Sequence, residues 1–118
     1  MRIDAIGYLR TDVSGSHQDW DEAHIRSLAR RLGYNLRKTV AFSEHTDKPT
    51  YRLKVILERM STVEAVITPS AAHFDGDIPG ELVQVTDVIT VNPEMTYARW
   101  SDGELPADVH NYGPQHHR

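Results

Sequence analysis

Short apolar runs alternate with amphipathic stretches along this chain, and that alternation restricts the fold more than any other feature. The run at 3–9 carries Ile3, Ala5, Ile6, Tyr8 and Leu9, apolar enough for a strand covered on both faces. A polar loop with Ser14, Gly15 and Ser16 follows. Ile25, Leu28, Ala29 and Leu32 then recur at helical spacing. Asp19 suits the cap of that helix, with Glu22 reaching back, and Gly33 suits the left-handed residue that ends it. A second strand is expected over 35–42, and Pro49 opens a second helix with a core face of Leu53, Ile56, Leu57 and Met60. A third strand spans 64–68, a short helix follows Pro79, and a fourth strand spans 87–91. Strands separated by helices require crossover connections. The expected fold is therefore α/β and three-layered, with a four- or five-stranded, mainly parallel sheet and helices on both faces.

At 118 residues, this is expected to be one α/β domain over residues 1–100 with a mobile or loosely attached tail over 101–118, where Gly, Pro, His and Asp replace apolar periodicity. Charge interrupts Met1-Arg2-Ile3-Asp4 before any apolar leader forms, and no run approaches membrane-spanning length. With no cysteine, disulfide and thiolate chemistry are excluded. A cytoplasmic protein without membrane contact or cofactor is the expectation.

The net charge of −4 is unevenly spread. Residues 1–60 hold eleven Lys/Arg against eight Asp/Glu, and residues 61–118 hold two against nine. A nucleic-acid-binding chain concentrates positive charge, because phosphate neutralisation supplies its non-specific affinity. Only Arg26, Arg30, Arg31, Arg37 and Lys38 offer a basic patch, read first as solvated faces of a helix and strand. DNA binding, if it occurs, is expected to be weak.

The segment Ile6-Gly7-Tyr8-Leu9-Arg10-Thr11-Asp12 resembles the first strand of the serine recombinases, the resolvase and invertase family, which carries Tyr-x-Arg-Val-Ser. The resemblance continues through Leu32-Gly33, through Arg52 leading an apolar helix, and through a strand ending near Ser70. It implies a resolvase-like fold and a phosphate-neutralising role at the positions of Arg10 and Arg52. The family's serine nucleophile is matched by Asp12, which a phosphate would repel. Its Leu-Asp-Arg-Leu-x-Arg segment is matched by Ala71-Ala72-His73-Phe74-Asp75-Gly76, without arginine. Ser14 and Ser16 lie too far along to stand in, since attack depends on positioning, and are read as loop serines or caps.

The family-matched positions are thus Tyr8, Arg10, Asp12 and Arg52, with no catalytic assignment. Arg10 has a plainer reading as the partner of a carboxylate such as Asp12. Arg10, Arg52, Arg26, Arg30 and Arg37 are the anion or DNA candidates. Asp12, His73 and Asp75 share one sheet edge and form a weak metal or acid–base set, with a solvated acidic loop as the simpler reading. His110, His116 and His117 read as polar tail residues. Trp20, Tyr97 and Trp100 read as covers over the ends of a core, or as a partner surface if exposed together. Three functions remain. The first is a catalytically inactive resolvase-like domain that interacts with a protein partner or itself, or serves regulation. The second is a divergent recombinase-like or accessory DNA-binding protein. The third is a small-anion or metal-dependent hydrolase.

Overall fold

The computed structural model describes residues 2–100 and the pair 111–112. Apart from that pair, the expected tail over 101–118 lies outside the described residues, as do His110, His116 and His117. Strand β1 (Ile3–Arg10) runs directly into a helical turn, α1 (Thr11–Ser14), a 3-10 turn (Gly15–His17) and helix α2 (Gln18–Leu32). Strand β2 (Tyr34–Phe42), helix α3 (Pro49–Arg59) and strand β3 (Val63–Thr68) follow. After a 3-10 turn at Ala71–Phe74 come β4 (Ile78–Pro79), α4 (Gly80–Val83), β5 (Asp87–Thr90), β6 (Met95–Tyr97) and β7 (Asn111–Tyr112).

The main sheet has the order β2-β1-β3-β5-β6, parallel except for β6, which pairs antiparallel with β5. β4 and β7 form a separate antiparallel pair. The fold is α/β, with five strands in a mostly parallel sheet and helices on both faces. Alternation along β1 divides its side chains between two cores. Ala5 and Leu9 meet Ile25, Leu28 and Ala29 of α2, together with Ala65, Ile67 and Ile89. Ile6 and Tyr8 face the opposite side, among Leu53 and Leu57 of α3, Val66, Phe74, Leu82, Val88 and Tyr97. Among the described residues, no helix is long and apolar enough to cross a membrane.

Helix endings follow local chemistry. Gly33 takes the left-handed conformation (φ 86°), and its N–H bonds back to Ala29 and Arg30. Pro49 stands in the first turn of α3, where its missing N–H costs nothing. The entry to α2 corrects the expected loop at Ser14–Ser16, because this stretch is helical nearly throughout. Ser14 is buried and donates to Asp21 Oδ2 at 2.6 Å, tying the first turn to α2. Gly15 (φ 56°) provides the bend between them. Asp19 consequently sits inside the helix, and His17 occupies the cap position without a side-chain bond.

Strand β6 was not anticipated either. It is three residues long and turns back through Val91–Glu94, a stretch that holds a cis peptide at Asn92–Pro93. Trp20 also departs from the expected core cover and is 65% exposed, whereas Tyr97 is buried and Trp100 is half-buried against the core.

Candidate functional site

The strand order reverses at β1 and β3, so the segments leaving their C-terminal ends diverge and leave a crevice between them. Open α/β sheets bind ligands at this topological switch point. Here the crevice is built from Arg10 to Ser14 on one side and Pro69 to Asp75 on the other. Ser70 begins the second segment as a cap, accepting from the Ala72 N–H at 3.2 Å. Asp75 ends that turn in the left-handed conformation (φ 57°), and Gly76 follows at φ 102°. The turn therefore delivers Asp75 to the end of β1.

Arg10 is the centre of the arrangement. Its Nε donates to Asp12 Oδ1 at 3.1 Å and its Nη2 to Asp12 Oδ2 at 2.7 Å, a two-pronged pair. Its Nη1 donates to Asp75 Oδ1 at 2.6 Å. The Arg10 backbone N–H donates to His73 Nδ1 at 2.9 Å, so neutral His73 carries its proton on Nε2. Asp12, His73 and Asp75 do converge, as their strand-end positions suggested, but they surround a guanidinium. Among the described residues, no group of three or more His, Cys, Asp or Glu is placed to hold a metal.

The electrostatics follow from this closure. Bonds from Arg10 hold the Asp12 carboxyl below its usual range, and the two carboxylates raise the Arg10 guanidinium in turn. Asp75 is largely solvent-facing, so its share of the pairing is screened. Burial pushes the His73 imidazole below its ordinary value, with Arg10 acting in the same direction and Asp21 and Asp12 opposing. Tyr8 is a core residue, 1% exposed, stacked on Phe74 at 4.8 Å and edge-on to Phe42 at 5.8 Å. Burial pushes its phenol up to about 12.

Arg52 does not join this centre. Its Nε donates to the Asp47 carbonyl at 2.7 Å, and no hydrogen bond or ion pair among the described residues links it to Arg10, Asp12 or Asp75. Arg37 is bound to Asp4 and Thr62 on the far edge, and Arg31 is held by both oxygens of Glu94. Arg26 and Arg30 line a separate cleft with Arg2.

Two features beside the crevice escaped the sequence reading. A cleft of about 470 Å³ opens next to His73, lined by Val13, Trp20, Asp21, His24, Pro69 and Asn92 among others. Asp21, which accepts from Ser14, forms part of its wall. The bond depends on the bend at Gly15, which brings the first helical turn back against α2, and seven-residue spacing in the sequence does not reveal such a bend. Trp20 stands over this cleft with His24 edge-on at 4.9 Å. Family models, curated proteins and solved structures give no match to this chain.

His73 produces a specific pH dependence. Its folded pKa is depressed, so the folded state resists a proton that the unfolded chain accepts near pH 6.5. The stability it contributes is complete above that value and is lost as pH falls toward the lower folded pKa. Urea midpoints measured at pH 7.5 and pH 5.5 should therefore drop on acidification. The drop should shrink in His73→Gln, whose amide oxygen can still accept the Arg10 N–H. An unchanged drop in the variant would exclude His73 as its source.

Proposed function

We propose that this chain is a catalytically inactive domain of resolvase-like design that serves as a protein-interaction module. The observation that carries the reading is the closure of Arg10 by Asp12 and Asp75. A phosphate-binding arginine must present its donors to the ligand, whereas all three donating nitrogens of Arg10 already face carboxylates. An incoming phosphate would meet two negative charges first. The same closure weighs against an anion or metal hydrolase, since both aspartates are engaged by the guanidinium.

The surface best suited to a partner lies beside that closed centre, where Val13 and Trp20 stand exposed over the 470 Å³ cleft. Tryptophan buries a large area at low entropic cost, which makes it a frequent interface anchor. We place self-association there, with Trp20 as the anchor.

Two measurements test this reading. Incubation with supercoiled DNA is expected to leave it intact and to trap no covalent adduct, in the wild type and in Asp12→Ser, because the serine variant would still lack the further arginines. An adduct in either protein would overturn the inactive assignment. Sedimentation over a concentration series should show reversible association, accompanied by a blue shift of tryptophan emission. Trp20→Ala should lose both. A wild type that remains monomeric with constant emission would refute the surface assignment.

A further inference from the structure

The arginines of this chain differ sharply in how they are neutralised. Arg10 is held by Asp12 and Asp75, Arg31 by Glu94 and Arg37 by Asp4, while Arg52 donates to a carbonyl. Arg2, Arg26 and Arg30 have no carboxylate within ion-pair distance among the described residues. Yet these three line a single cleft of about 200 Å³, with Ala29, Tyr34 and Leu36 as the rest of its wall. The cleft lies at the N-terminal edge of the sheet, opposite the Arg10 centre. Arg2 precedes β1, Arg26 and Arg30 stand one turn apart on α2, and Tyr34 and Leu36 open β2.

Such a grouping costs free energy, because like charges at i,i+4 repel. The C-terminal end of the α2 dipole favours a cation at Arg30 but does not neutralise it. A chain with 17 carboxylates places none against these three guanidiniums within the described residues, although it does so for their neighbours Arg31 and Arg37. An anionic ligand would resolve the repulsion.

We infer that this cleft binds a phosphomonoester, the terminal phosphate of a small molecule whose apolar part rests against Tyr34 and Leu36. Each guanidinium presents a planar fork of donors, and one fork satisfies a carboxylate. Three forks lining one cleft suit a tetrahedral dianion with several acceptor oxygens. A nucleic-acid backbone is a poorer fit, since its single charges are strung along a line and need a track of cations. Here the residues that would extend the track, Arg31 and Arg37, are already paired. This site is independent of the Arg10 centre and of the Trp20 surface.

The test is amide and arginine side-chain NMR on the full chain, titrated with inorganic phosphate, adenosine 5′-monophosphate and duplex DNA at equal phosphate concentration. Phosphate and the mononucleotide should shift the signals of Arg26, Arg30 and Tyr34, with the mononucleotide binding more tightly. Its affinity should fall as pH drops through about 6, where the dianion gains a proton. Arg26→Gln and Arg30→Gln should each weaken mononucleotide binding by about tenfold, as expected for loss of one charge-assisted contact. Arg31→Gln, which alters a neighbouring but paired arginine, should not. The proposal is overturned if millimolar phosphate and mononucleotide leave the Arg26 and Arg30 signals unmoved. It is equally overturned if duplex DNA binds the same arginines more tightly per phosphate than the mononucleotide, because the surface is then a backbone track.

Discussion

Phe74→Ala is expected to destabilise the protein by about 3–5 kcal/mol, in the range for truncating a buried phenylalanine, and also to loosen the closure around Arg10. Phe74 is buried, stacks on Tyr8 and belongs to the core shared with Leu53, Val66 and Tyr97. It also lies between His73, which accepts the Arg10 N–H, and Asp75, which accepts from its guanidinium. The stacked ring thus anchors the turn that holds both residues in place. Denaturant unfolding measures the first effect. Hydrogen exchange measures the second, because the Arg10 amide should lose more protection than the amide of Ile6, deeper in the same strand. Leu53→Ala provides the comparison: it should cost about 2–5 kcal/mol but lower the two amides together. Equal loss at Arg10 and Ile6 in Phe74→Ala would show that the turn is not held by this ring.

Gly7→Ala is expected to cost about 1–3 kcal/mol, the usual range for overfilling a packed core. A Cβ at Gly7 would lie 2.7 Å from Thr39 Oγ1 and 2.9 Å from Ile25 Cγ2. Neither distance is tolerable, so something must move. Thr39 can rotate, but Ile25 is fully buried between α2 and the sheet, and relieving it pushes α2 outward. At roughly 4–8 °C per kcal/mol for a domain near this size, the fall in Tm should be plain. Ile25→Val removes the Cδ1 methyl and gives the Ile25 site room to retreat. The double variant should therefore be more stable than the sum of the single losses predicts. Strict additivity would mean that contact with Ile25 is not the source of the cost.

Much of the framework could be read from local pattern. Short, continuously apolar runs specify strands covered on both faces, helical periodicity specifies the buried faces of α2 and α3, and Gly33 and Pro49 punctuate them by their own backbone restrictions. Those signals are short-range and survive without knowledge of the partner surface. The antiparallel β6 did not register because three residues are too few to show a period. The helical turns at Thr11–His17 were hidden for a different reason. They are tied to α2 by the bond between Ser14 and Asp21, a contact across a bend, and serine and glycine taken alone favour loops.

The candidate site divides along the same line. Sequence order placed Arg10, Asp12, His73 and Asp75 at strand C-termini, and Asp12 is close enough along the chain for its pairing with Arg10 to be expected. That Asp75, 65 positions away, shares the same guanidinium depends on a left-handed turn after β3 and on Phe74 seated in the core. Arg52, by contrast, matched a family position in sequence and lies in a different set of bonds. The sorting of the arginines was likewise invisible in the chain, where Arg26, Arg30, Arg31 and Arg37 read as one basic stretch. Helix rotation and strand register send Arg31 to Glu94 and Arg37 to Asp4, while Arg26 and Arg30 meet Arg2. Periodicity, caps and composition act over a few residues, so the longer strands and helices and their order are legible in the chain. Which charges neutralise one another depends on distances of a few ångströms between segments far apart in the chain, and only the folded arrangement decides that.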